Sequence, residues 1–213
     1  LKHRSAIPSH YGFTLTELII LLVIVGLFLG MTFLRGAAQK DSAVANDVVM
    51  MQKDLTEAIR EFKRQFHYLP GDLPNAANKI EKLPDLCRIP MITNNIGNGL
   101  IDTANEIQCV PEELKLAGFY NAHLAVDGLH VFITNNGNQL TVLAAGIAHV
   151  PNIAAAPLLP PNVIEVANLS CGAAQAVDQQ LDDGNLGTGN LQVAPAYVNC
   201  APGSVVPYLD IAY

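Results

Sequence analysis

Four oxygen-bearing side chains crowd one stretch near the end of the chain: Asp178, Asp182, Asp183 and Asn185, in the pattern D-x-x-x-D-D-G-N. Carboxylate and amide oxygens at this density suit a hard divalent cation. Asp178 and Asp182, at i and i+4, share one helix face. The same letters also spell a plain helix stop, with solvated aspartates around Gly184. From sequence we adopt the helix stop and expect no metal or other cofactor, with calcium at these four residues as the weaker alternative. A second stretch, N-N-I-G-N-G-L-I-D over residues 94–102, resembles a calcium loop, with Gly99 sixth and Ile101 eighth. Ile96 stands where a third-position oxygen belongs, and Asn105 replaces the bidentate glutamate at position twelve, so it reads as a loop.

Other chemistry finds little to work with. His67, His123, His130 and His149 are scattered, with no H-E-x-x-H or H-x-H spacing. G-x-S-x-G is absent, and the G-N-G and G-T-G fragments lack the strand–turn–helix setting of a phosphate loop. No catalytic constellation emerges, and an enzyme is not expected.

The remaining reactive group is Glu17. It is the lone ionisable side chain over residues 13–34, a run without proline that would measure about 33 Å as a helix, enough to span a bilayer. Lys2 and Arg4 precede the run; Arg35 and Lys40 follow it. A carboxylate in such a helix is costly and calls for a partner. An ordinary signal anchor or a secretory signal peptide is the plainer possibility. A secretory apolar region is shorter, however, and carries its small-residue cleavage site after the run, whereas Gly12 lies before this one.

The stretch Gly12-Phe13-Thr14-Leu15-Thr16-Glu17 closely resembles the processing signal of type IV pilins and type II secretion pseudopilins. The resemblance implies cleavage between Gly12 and Phe13 by a prepilin peptidase, N-methylation of Phe13, and an assembly role for Glu17. Gly26 falls where the family often has a helix glycine, and Leu34 stands where many members carry a proline. His67-Tyr68-Leu69-Pro70-Gly71-Asp72 is similar to a segment of bacterial prepilin-type proteins, as is the D-D-G-N-x-x-T-G stretch. Many pseudopilins hold a calcium ion near the edge of the head, although the aspartate spacing here is not that of the usual loop. The implied partners are other pilin or pseudopilin subunits, the peptidase, an inner-membrane assembly platform and lipid. The implied location is a single pass of the inner membrane, with the head in the periplasm or on an extracellular filament.

Composition is compatible with one domain plus an anchor. The chain has 213 residues, 50% of them hydrophobic and 15% charged, with a formal net charge of −7. Leu1 rather than Met stands first, and the leader is expected to extend upstream of it. No lysine or arginine follows Lys115, whereas Asp127, Glu165, Asp178, Asp182, Asp183 and Asp210 do. A basic-poor head argues against phosphate-backbone binding, so no nucleic acid is expected. Cys87, Cys109, Cys171 and Cys200 are expected to be oxidised in an exported head. Of the three possible pairings, the sequence-local one, Cys87–Cys109 with Cys171–Cys200, is preferred. Four free thiols remain open, and zinc is disfavoured because no C-x-x-C occurs.

The elements follow from periodicity. Val44, Val48, Met51, Leu55, Ile59, Phe62 and Phe66 recur every three or four residues, one stripe of a helix continuing the apolar run. That helix is expected over about residues 13–66, with Arg60, Lys63 and Arg64 near its end and Pro70-Gly71 stopping it. A short helix is expected to start at Pro111 and end at Gly118. Residues 129–134 and 139–144 flank Asn135-Asn136-Gly137-Asn138 as a hairpin. A proline-rich connection over 151–161, a strand over 163–167 and a helix over 173–181 capped by Ser170 follow. Weaker strands are expected at 191–193, 197–198 and 205–211.

The expected fold is α+β and pilin-like, a long N-terminal helix packed on an antiparallel sheet, with disulfide-stapled loops. Its parts would be a leader over 1–12, a transmembrane and assembly half-helix over 13–34, an amphipathic half over 35–69, and a globular head over 70–213. The expected function is that of a filament subunit. Glu17 argues against a tip subunit of the kind that lacks this carboxylate. The alternatives are a membrane-anchored periplasmic binding module or enzyme that does not polymerise and, less well supported, a DNA-uptake pilin.

Overall fold

The computed structural model describes residues 14–88, 96–120, 131–149 and 162–213. The chain divides into two compact units, residues 1–40 and 41–213. The longest element is helix α1 (Leu15–Phe66), 52 residues. In the first unit the described apolar side chains from Leu15 to Leu29, among them Leu18, Ile20, Val23 and Phe28, are exposed all round.

In the second unit the helix is amphipathic. Val48, Leu55, Ile59 and Phe62 are buried, whereas Lys53, Asp54 and Arg60 face solvent. That is the stripe predicted from the three-four spacing. The helix ends before Pro70-Gly71, however. His67 adopts a left-handed conformation (φ 64°) and its N–H closes on the Lys63 carbonyl at 2.9 Å. A left-handed residue satisfies an orphan carbonyl at the helix end and redirects the chain.

A small helical lobe follows, made of α2 (Ala76–Lys79), α3 (Asp85–Arg88) and α4 (Ala104–Leu116). Here the sequence expectation needs correcting: α4 begins seven residues before Pro111 and carries that proline inside it. The start is set by a capping box, Thr103-Ala104-Asn105-Glu106. Glu106 N–H donates to Thr103 Oγ at 3.2 Å, and Thr103 N–H donates to Glu106 Oε at 2.9 Å. Two orphan amides satisfied at once outweigh the one donor that Pro111 removes. The Cys87–Cys109 disulfide ties α3 to α4.

The sheet has five antiparallel strands: β1 (Phe132–Ile133), β2 (Gln139–Ala144), β3 (Asn162–Ser170), β4 (Leu191–Val193) and β5 (Val205–Ala212). Their order is β1-β2-β3-β5-β4. The Asn-Asn-Gly-Asn turn joins β1 to β2 as expected, with Gly137 at φ 85° and its N–H bonded to the Thr134 carbonyl. The strand expected at 197–198 is instead a 3-10 turn over Pro195–Tyr197, since Pro195 fixes φ at the first position. The strand expected over 163–167 extends to Ser170, where it hands over to helix α5 (Cys171–Leu181).

Alternation puts Leu140, Val142, Ile164, Val166, Leu209 and Ile211 on one sheet face. They join the stripe of α1 in a single buried cluster. Each such side chain, fully buried, contributes about 1.5–3 kcal/mol relative to exposure. Phe62, Phe66 and Phe119 meet at one end of this layer, with ring centroids 4.5–6.4 Å apart.

Ser170 caps α5, accepting from Ala173 N–H at 3.2 Å and donating to Asp41 at 2.6 Å. The Cys171–Cys200 disulfide holds the start of α5 to the segment before β5. Both bridges are therefore the sequence-local pairs, closing 22 and 29 residues. Crosslinks over loops of this size stabilise by about 2–4 kcal/mol, mainly by restricting the unfolded chain. The double substitution Cys87→Ser/Cys109→Ser should cost that much, read as a lower urea midpoint by circular dichroism of the full chain in detergent. Treating wild-type protein with reductant should shift its midpoint in the same direction.

Candidate functional site

Three groups of carboxylates in the structure merit a chemical reading. The first lies at the start of α1. Glu17 accepts the Thr14 N–H and the Thr14 hydroxyl, each at 2.9 Å, and its own N–H donates to Thr14 Oγ at 3.3 Å. Thr14-Leu15-Thr16-Glu17 is thus a capping box, a T-x-x-E signal open to view in the sequence and not used there. Around it, Leu15 through Leu29 present an apolar surface on all sides. Residues 15–30 are about 24 Å long as a helix. Among the described residues no helix is long and apolar enough to cross a membrane. The expected span over 13–34 runs beyond the described side chains at both ends, and the cleavage and methylation positions Gly12 and Phe13 lie outside the described residues.

The second group surrounds the turn after α1. Asp72, fully buried, accepts the N–H of Gly97 and, at 2.7 Å, that of Gly99. This accounts for the loop that resembled a calcium site: its amides converge on an internal carboxylate, the opposite polarity from a cation cage. Behind it Glu113, 2% exposed, accepts the Gly71 N–H at 2.8 Å. Gly71, at φ 86°, lies so close to the Glu106 carbonyl that no Cβ would fit. Burial pushes Glu113 up to about 8, with Asp72 adding to the rise, while the Gly71 amide and Lys79 pull the other way. Burial also raises Asp72, against the pull of the loop amides. The sequence placed Asp72 only within a motif and gave Glu113 no role, because nothing local marks either carboxylate as buried.

The third group is the acidic stretch read first in the sequence. Asp178, Asp182 and Asp183 do come together, each offering a carboxylate oxygen within 4.8 Å of the others. Asp178 is completely buried on the inner face of α5, beside Ala174 and Val177, so it is no solvated aspartate of a helix stop. Asp182 is half-buried and accepts the Leu191 N–H at 2.9 Å. Asp183 is exposed and accepts the Asn185 N–H at 2.8 Å and the Thr188 hydroxyl at 2.7 Å. These two bonds hold Asp183 below the usual carboxylate range. Asn185 turns inward on its own loop, its side-chain oxygen accepting the Gly187 N–H at 3.1 Å. Burial, with the charges of Asp183 and Asp182 behind it, raises Asp178 to about 6.

No known family, curated protein or solved structure matches this chain. The sites must therefore speak through their own chemistry. Of the histidines, His67 ends α1, and His149 stacks on Tyr208 at 3.8 Å with Nδ1 2.7 Å from Glu165. His123 and His130 lie outside the described residues.

Glu113 carries a pH signature. Its folded value of about 8 exceeds the ordinary glutamate value near 4.3, so the folded state holds the proton more tightly than the unfolded chain. Its contribution to stability is thus present below about pH 4 and lost as pH rises through 8. Glu113→Gln keeps the acceptor for Gly71 without the charge. The variant should gain stability relative to wild type between pH 5 and pH 9, measured by urea denaturation; a pH-independent difference would refute this assignment.

Proposed function

We propose that the chain is a structural subunit of a membrane-templated helical filament, of the type IV pilus or type II secretion pseudopilus kind, cleaved by prepilin peptidase between Gly12 and Phe13. The observation that carries the reading is the start of α1. An apolar helical surface from Leu15 to Leu29, exposed on every side, has one carboxylate at its entry. Such a surface is at home in lipid or against identical helices, not in water. After cleavage the nearest cation to Glu17 in an assembled bundle would be the methylated amine of a neighbouring Phe13. Two opposite charges in lipid each cost several kcal/mol unpaired, so pairing them sets the register between subunits.

The capping box adds a constraint of its own. In the single chain the Glu17 carboxylate already holds the Thr14 amide and hydroxyl. Entry into a filament would therefore add a cationic partner to a carboxylate that is already engaged, or exchange one for the other. Two substitutions separate capping from charge. Glutamine caps as glutamate does, whereas alanine does neither.

Co-expression with a prepilin peptidase, followed by intact mass and N-terminal sequencing, should give a chain starting at methylated Phe13. An uncut chain would favour the membrane-anchored module. Glu17→Gln and Glu17→Ala should both be cleaved and both lose most filament yield in a shearing assay. Wild-type yield from Glu17→Gln would reduce Glu17 to a helix cap.

A further inference from the structure

We propose that the groove between α1 and the end of β1 is a binding site for the guanidinium group of an arginine carried by a partner polypeptide. The inference is independent of the filament reading, since it concerns the second unit alone. Asp47, Met50, Met51 and Asp54 line the groove from the helix, with Tyr120 and Ile133 opposite. Its volume is about 150 Å³, room for one side-chain head rather than a length of chain.

The decisive observation is how α1 distributes its charges. Side chains three or four residues apart are neighbours on a helix surface. Glu61 has Arg64 at that spacing and is paired with it, and Glu57 has Lys53 and Arg60. The corresponding neighbours of Asp47 are Ala43, Val44, Met50 and Met51; those of Asp54 are Met50, Met51, Glu57 and Ala58. Neither groove carboxylate therefore has a cation at hand on its own helix. The opposite wall brings none either, because no lysine or arginine follows Lys115 in the sequence. Asp47 is held by the amides of Asn135 and Asn136. Asp54 is exposed, and no ion pair among the described residues engages its carboxylate.

The rest of the lining suits a planar cation on an alkyl stem. Tyr120 is held edge-on to Phe132, with ring centroids 5.2 Å apart. Burial, with the charge of Asp54 behind it, pushes its phenol up to about 12, a sign that carboxylate and ring share one groove. A guanidinium there meets carboxylate at its N–H edge and an aromatic ring at its face. Met50, 61% exposed, stands between the two carboxylates along the helix. Its flexible thioether offers an adaptable surface to the methylene stem. Lysine, a compact and strongly hydrated charge, would use the carboxylates but gain less from the ring.

The test is a nuclear magnetic resonance titration of the full chain in detergent, with carbon-13 in the methionine methyl groups and the Met50 signal assigned through Met50→Leu. The probe is a Gly-Arg-Gly peptide capped at both ends. The same peptide with lysine, or with uncharged citrulline, in the middle serves for comparison. The arginine peptide should move the Met50 signal saturably in the millimolar range, the lysine peptide about threefold more weakly and the citrulline peptide about tenfold more weakly. Asp54→Asn, at an exposed position, should weaken arginine binding about tenfold. Glu81→Gln, an equal loss of charge elsewhere on the surface, should leave it intact. No saturable shift, an equal response to citrulline, or a response surviving Asp54→Asn would overturn the site. An equal response to lysine would overturn the guanidinium assignment. A Met50 signal that moves with protein concentration alone, and ceases to do so in Arg60→Gln, would overturn the separate partner and make a second copy of the chain the donor.

Discussion

Burial of the α1 stripe is the contact on which the second unit depends. The sheet has two short edge strands, β1 and β4, and it could not stand alone in water with an apolar face uncovered. Val48, Leu55, Ile59 and Phe62 cover that face, and Leu140, Val166 and Leu209 answer them from three adjacent strands. Polar contacts then hold the helix in place. Asp47 receives the side-chain amides of Asn135 and Asn136 from the hairpin turn, and Asn46 receives Gln180 from α5. The short edges also leave little backbone open to pairing with another chain.

A second theme is how this acidic chain satisfies its carboxylates. Cations are scarce, so backbone amides and small polar side chains do what lysine and arginine do elsewhere. Asp72 takes Gly97 and Gly99; Glu113 takes Gly71; Glu106 takes Asp102 and Thr103; Asp182 takes Leu191. Such bonds are stronger where the acceptor is ionised than where, as at Glu113 below pH 8, it holds its proton. They also staple distant segments: residue 72 to the loop at 97–99, and residue 71 to α4. Asp178 departs from this pattern: it is fully buried, and the pull of the Gly184 amide is outweighed by burial and by the charges of Asp183 and Asp182.

Much of the architecture was legible because it rests on periodicity. The α1 stripe, the hairpin around Gly137 and the Ser170 cap all follow from spacing or turn chemistry within a short window, and the sequence-local disulfide pairing preferred among three is the one formed. The failures came where two local signals competed. Pro111 suggested a helix start, yet Thr103 and Glu106 together capped the helix earlier. Tyr197 and Val198 have strand character, but Pro195 committed the backbone to a tight turn. Asp178 failed for a different reason. Whether an aspartate near a helix end meets water depends on which face the helix buries, and that is settled by β3 and β5, not by its neighbours in sequence. The Thr14–Glu17 cap was legible as T-x-x-E at the head of an apolar run.

The placement of the two disulfides has a mechanical consequence. One closes the helical lobe between α3 and α4; the other closes the loop between α5 and β5. Neither touches α1. Tension applied along that helix would load the helix–sheet seam through side-chain packing and a few hydrogen bonds, with no crosslink to share it. The covalent reinforcement protects the parts least exposed to load, so the helix–sheet seam is the element that yields first when the molecule is pulled.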